Sequence, residues 1–103
     1  MIVAYPRSPR TLASGLRLTL PMQQLLRAAS AEPAKLSELC VRAERKADVP
    51  AHQGAIDLCD AGLFRRDEVR RGAAYALTRL GEEALDELFE LARREMREMK
   101  GER

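Results

Sequence analysis

Apolar positions between Leu20 and Cys59 recur every three to four places, the spacing of buried helix faces, whereas Met1 to Gly15 shows no sustained period. Between Leu20 and Ala31 the stripe is Leu25, Leu26 and Ala29, with Thr19 placed to cap the first turn, Pro21 inside it and Pro33 beyond its end. A second helix starts at Leu36 and Ser37, turning Leu39, Cys40 and Ala43 inward and Glu38, Arg42, Arg45 and Lys46 outward. A third follows from Pro50, whose missing N–H has no partner to lose in a first turn. Ala51, Ala55, Leu58 and Cys59 form its apolar side, leaving His52, Gln53 and Asp57 elsewhere, and Gly62 supplies the left-handed residue that ends it.

After Gly62 the period shortens to two. Leu63 and Phe64 open an extended segment, Arg70-Arg71-Gly72 makes a turn, and Ala74 to Thr78 returns with Tyr75 and Leu77 on one face. Thr78 then suits the N-cap of a last helix from Arg79 to about Lys100, with Glu82 and Glu83 near its positive end. In that helix Leu85, Phe89, Ala92, Met96 and Met99 follow alternating four- and three-residue steps, flanked by Leu88 and Leu91. Such a face is longer than a small domain can cover, so Leu85, Leu88, Phe89, Ala92, Met96 and Met99 are expected at the interface of a homodimer.

Three short helices followed by a basic hairpin make a DNA-reading unit. The run Gly62-Leu63-Phe64, the Arg71-Gly72 turn, Tyr75-Ala76-Leu77-Thr78 and then Gly81 with Leu85 resembles the wing of winged helix-turn-helix regulators, the PadR and MarR families in particular. The resemblance spans about Leu16 to Lys100. The sequence departs from it at Gly54 and Ala55, where larger aliphatics are usual, and at His52, a position often aromatic in PadR-like proteins. The expected fold is mainly α with a small β-hairpin (α+β), a winged helix-turn-helix with a long C-terminal dimerisation helix. It divides into a flexible arm over residues 1–15, a winged domain over 16–81, and a dimerisation helix and tail over 82–103.

Composition adds bounds. One hundred and three residues with 4% aromatics and no Trp allow a single core built from Leu, Ala, Met and Val. There is no apolar run of bilayer-spanning length and no cleavable leader pattern, which points to a cytoplasmic protein without a membrane partner. The net charge of +2 is unevenly spread: 13 basic against 8 acidic residues from Met1 to Gly81, then 4 against 7 from Glu82 to Lys100. A basic body suits phosphate. Arg42, Arg45 and Lys46 on the second helix are expected to touch the DNA backbone. Ala51, His52 and Gln53, at the start of the third, should face base edges. Arg65, Arg66, Arg70 and Arg71 should carry the wing's contacts, and Arg7 and Arg10 are candidates for contact from the arm.

Other chemistries find little support. Cys40 and Cys59 have no third ligand at metal spacing and read as small buried hydrophobes, with a redox pair as the alternative. The one histidine has no nucleophile beside it, and no Gly-rich loop precedes a helix, so neither an enzyme nor a cofactor is expected. The length leaves little room for a small-molecule effector. Two rivals remain: a winged helix that binds protein rather than DNA, and a helical HEAT-like adaptor, since Val69 to Gly81 also resembles one helix of that repeat. Asp57 and Asp60 on the third helix favour the first rival. Whether Ala73 to Leu77 is strand or helix separates the second.

Overall fold

The computed structural model describes residues 9–101, with side chains through residue 98. Three helices form the body: α1 (Leu20–Ala28), α2 (Leu36–Arg42) and α3 (Val49–Asp60). The Thr19 hydroxyl accepts from the Met22 N–H at 3.4 Å and caps α1. That helix stops three residues before the expected Ala31, because the chain must straighten into a short strand, β3 (Ala34–Lys35). A left-handed Glu44 (φ 56°) closes the turn after α2, where the Arg45 N–H donates to the Cys40 carbonyl at 3.0 Å. Asp48 then caps α3, its carboxylate accepting from the Ala51 N–H at 3.1 Å. Leu18, Leu25, Leu26, Leu39, Leu58 and Leu88 are fully buried among these elements. Removing each such side chain from water contributes roughly 1.5–3 kcal/mol.

The hairpin is β4 (Phe64–Val69) paired antiparallel with β5 (Gly72–Leu77), in register from Phe64 opposite Leu77 to Val69 opposite Gly72. β3 pairs with the other edge of β5, giving the order β3-β5-β4. Ala73 to Leu77 is therefore strand, and the HEAT-like helical reading is overturned. Arg71 (φ 66°) and Gly72 (φ 136°) hold backbone angles that no α-helix accommodates.

The far end of the hairpin is locked to the helices. Gly62 (φ 81°) ends α3 in the left-handed region, where a side chain is strained. The Thr78 hydroxyl donates to the Gly62 carbonyl at 2.6 Å and accepts from the Gly81 N–H at 3.0 Å, while the Thr78 N–H donates to the Leu63 carbonyl at 3.0 Å. Gly81 lies so close to that strand entry that a Cβ there would sit 2.1 Å from the Leu63 oxygen. The Gly-Leu and Thr-x-x-Gly portions of the wing pattern thus form one joint, from which α4 (Arg79–Gly101) departs.

The N-terminal segment corrects an expectation. Rather than a flexible arm through residue 15, Arg10–Thr11 (β1) pairs antiparallel with Arg17–Leu18 (β2), and Leu12 is buried. The hairpin rests on α4: the Ala13 N–H donates to the Glu87 carboxylate at 2.7 Å, and Arg10 pairs with Glu95. Arg10 is thereby engaged inside the chain, and Arg7 lies outside the described residues. The molecule is elongated, 53 × 29 × 21 Å, consistent with a 23-residue α4 that outreaches the body.

Candidate nucleic-acid interface

α3 is amphipathic in a way its sequence only partly reveals. Ala51, Ala55 and Leu58 are completely buried, so Ala51 turns into the core and is withdrawn from the base-facing set. The Ala51 N–H serves the Asp48 cap, which fixes that register. Gly54 packs against Pro21 and the start of α1, where a Cβ would be 3.3 Å from the Pro21 side chain. This close helix crossing accounts for a glycine where larger aliphatics are usual. The exposed face runs Val49, His52, Gln53 and Ile56, with Val49 79% and Ile56 49% exposed. Gln53 donates one amide hydrogen to Asp57 at 2.9 Å, which steadies it and leaves its carbonyl and second hydrogen unspent. Val49 and Ile56 were absent from the expected site. Their seven-residue separation, bracketing His52 and Gln53, was the signal.

Of the three basic residues expected on or after α2, one is held by a carboxylate within the chain. Arg45 donates to Asp48 at 2.9 Å and to the Gln24 side-chain oxygen at 2.8 Å, tying the turn to α1 and to the cap of α3. It is a structural residue rather than an open phosphate ligand. The hydrogen bond from Ala51 acts most strongly on the Asp48 carboxyl and, joined by the charge and hydrogen bond of Arg45, outweighs desolvation and holds it below its ordinary range. Arg42 is exposed and reaches the Ala28 carbonyl at 3.3 Å, while Lys46 is exposed with no carboxylate partner among the described residues.

The wing divides in the same manner. Arg65 makes a forked pair with Asp67, at 3.0 and 3.1 Å, and Arg66 pairs with Glu68 at 2.8 Å. Hydrogen bonding to Asp67 raises the pKa of Arg65, and hydrogen bonding to Tyr75 with the charge of Glu68 raises that of Arg66. Both arginines are exposed but already neutralised. Arg70 and Arg71, at the two-residue tip, are exposed and have no carboxylate partner among the described residues. Tyr75 and Phe64 pack with ring centroids 6.0 Å apart and stiffen the wing's base.

On α4, Leu88 is completely buried within its own chain and so leaves the expected partner-facing set. Phe89 is half-buried, with the Arg27 guanidinium 4.9 Å from its ring centroid. Leu85 and Ala92 are half-buried, Met96 is 58% exposed, and the Met99 side chain lies outside the described set. Burial pushes the thiols of Cys40 and Cys59 up, which disfavours the reactive thiolate at neutral pH. Among the described residues no His, Cys, Asp and Glu group has the arrangement of a metal site, and no helix is long and apolar enough to cross a membrane.

No family model matches the sequence, and no curated protein does. Solved structures do. A MarR-family transcriptional regulator from Silicibacter pomeroyi aligns with a TM-score of 0.68 at 23% identity, over 80% of this chain and 57% of that one. A Mycobacterium tuberculosis protein aligns at 0.63 and 22%, over 84% and 60%. A Listeria innocua protein of unknown function aligns at 0.66 and 21%, over 82% and 60%. The chain thus spans about three-fifths of the length of each of these proteins. With three helices, a wing whose central strand is β5, and a long helix leaving the wing's base, this chain has the winged helix-turn-helix fold that a MarR-family regulator also adopts.

Proposed function

We propose that the chain binds double-stranded DNA as a homodimer and serves as a small cytoplasmic transcriptional regulator of MarR- or PadR-like type. Repression is the expected output, since occupying a duplex site suffices for it. The observation that carries this reading is the pair of unneutralised arginines, Arg70 and Arg71, at the tip of a wing joined to an α3 whose outer face is free. Lys46 and Arg42 would meet phosphate on the other flank, and His52 and Gln53 would face base edges. Arg65 and Arg66 would join only by exchanging carboxylate for phosphate. Dimerisation would use the distal α4, with Met96 as its exposed apolar residue among the described ones and Leu85, Phe89 and Ala92 at the margin. The reading calls for no cofactor, catalysis or small-molecule effector.

The rival is a winged helix that docks a protein. It draws on the absence of any Lys or Arg within α3 and on the acidic Asp57 and Asp60 there. Duplex binding measured across a salt series separates the two, because phosphate contacts release counterions and affinity then falls steeply with salt. Steep salt dependence is expected, and no duplex binding at low salt overturns the proposal. Sedimentation of Met96→Asp tests assembly: a folded monomer with much weaker DNA binding is expected, and an unchanged dimer would move the interface elsewhere.

A further inference from the structure

The outer face of α3 begins and ends on an aliphatic side chain held in water. Val49 is 79% exposed and Ile56 is 49% exposed, although Ala51, Ala55 and Leu58 on the opposite side of the same helix are fully buried. Core packing therefore does not account for either residue. Between them lie His52 and Gln53, both exposed and polar, the latter steadied by Asp57 at 2.9 Å. Seven residues of helix rise roughly 10 Å, about three base-pair steps of about 3.4 Å each.

We infer that Val49 and Ile56 are specificity-determining residues that read thymine methyl groups in the major groove, on either side of a base pair read by Gln53. This rests on the DNA-binding reading above and names the sequence class that reading leaves open. The only apolar groups a base pair offers in the major groove are thymine C5-methyls, and an adenine edge suits the carbonyl and amide hydrogen that Gln53 has left. A half-site rich in A·T pairs, with thymines about three steps apart, follows from these chemistries.

Charge selects duplex DNA as the occupant rather than another protein's apolar surface. α3 itself contains no Lys or Arg, so its face does not attract phosphate. Cations without carboxylate partners among the described residues stand before and after it in the chain, Lys46 in the turn that leads in and Arg70 and Arg71 at the wing tip beyond. A strip of Val49, His52, Gln53 and Ile56 without lysine or arginine, with Asp57 beside it engaged by Gln53 and cations on the flanks, matches a groove whose floor displays methyls and base edges and whose rims are phosphates.

The test starts from a duplex selected from a random-sequence library by the full chain. Each thymine in the selected site is then replaced singly by deoxyuridine, which removes the methyl and keeps every hydrogen-bonding group. Affinity is expected to fall about fourfold at the contacted positions, the worth of one methyl withdrawn from water. The loss at one position should vanish in Ile56→Ala and the loss at another in Val49→Ala. Both residues are exposed, and the unsubstituted protein carries the first arm, so failure to fold cannot mimic the result. Equal affinity for every deoxyuridine duplex, or losses that persist in both variants, would overturn the inference while leaving DNA binding intact. Salt-sensitive binding with no sequence enriched overturns it likewise. No duplex binding at all overturns the DNA-binding reading with it, and assigns the face to a protein partner.

Discussion

Two hairpins in this chain carry arginines, and they have opposite fates. The N-terminal one, β1 and β2, is drawn onto α4: its Leu12 is buried, and its Arg10 is joined to Glu95. The wing, β4 and β5, is anchored at its base by Thr78 and Gly81 and leaves its tip in water, with no carboxylate partner for Arg70 or Arg71 among the described residues. Basic residues in a turn say little by themselves. The placement of carboxylates decides whether an arginine holds the fold together or is left for a ligand. Even within the wing this rule divides Arg65 and Arg66, matched to Asp67 and Glu68, from the pair at the tip.

The comparison breaks most severely if the N-terminal hairpin loses its anchor. Leu12→Ala removes a buried side chain and is expected to destabilise the protein by about 2–4 kcal/mol in urea unfolding. A variant as stable as the wild type would mean that the hairpin contributes nothing to the core. The wing tip should behave in the opposite sense. Changing both Arg70 and Arg71 to Ala should leave stability within about 0.5 kcal/mol. The slope of log affinity against log salt should flatten by about 3.6 for the dimer, the loss of two phosphate contacts from each of its two wings. Arg10→Ala, the control from the other hairpin, should not alter that slope, and a matching change would erase the distinction.

The smallest effect concerns a carboxylate whose partners are all within the chain. The folded-state pKa of Asp48 is lowered, chiefly by the Ala51 hydrogen bond, so its ionised form favours the folded state. That contribution is fully present above the unfolded value near pH ~3.9 and is lost as pH falls through the depressed folded value. Asp48→Asn keeps a capping oxygen and should flatten the acid limb of the stability curve without changing DNA affinity. An acid limb identical to wild type would remove Asp48 from the account.

Much of the fold was legible because its signals are local. Thr19 and Pro21, Pro50 and Gly62, the Arg71-Gly72 turn and the Thr78 cap each act within a few residues of where they stand. Less visible was what depends on distant pairing. A two-residue strand such as β3 has no periodicity of its own and exists because β5 offers it an edge. The N-terminal hairpin is equally short and is held by α4, some seventy residues away in sequence. The candidate site was legible in place but not in detail. Ala51 was turned inward by the Asp48 cap, and Arg45 was captured by that same aspartate. The pairing of Arg65 with Asp67 and of Arg66 with Glu68 could have been anticipated, since alternate residues of a strand share a face. Val49 and Ile56 escaped notice because aliphatic residues are ordinarily assigned to a core.

The contact between Gly81 and the Leu63 carbonyl has a mechanical consequence. It leaves no room for a side chain between the segment just after α3 and the root of α4, so a tilt of α4 is expected to carry the end of α3 with it. A 23-residue helix is roughly 35 Å long. A tilt of about 5° about that root displaces the far end by roughly 3 Å, close to one base-pair step of about 3.4 Å. If the far end is the dimer's pivot, small changes in how two copies cross would be read out as a change in the spacing of the sites they span. A glycine with no room for a methyl group would then set the gauge of the assembly.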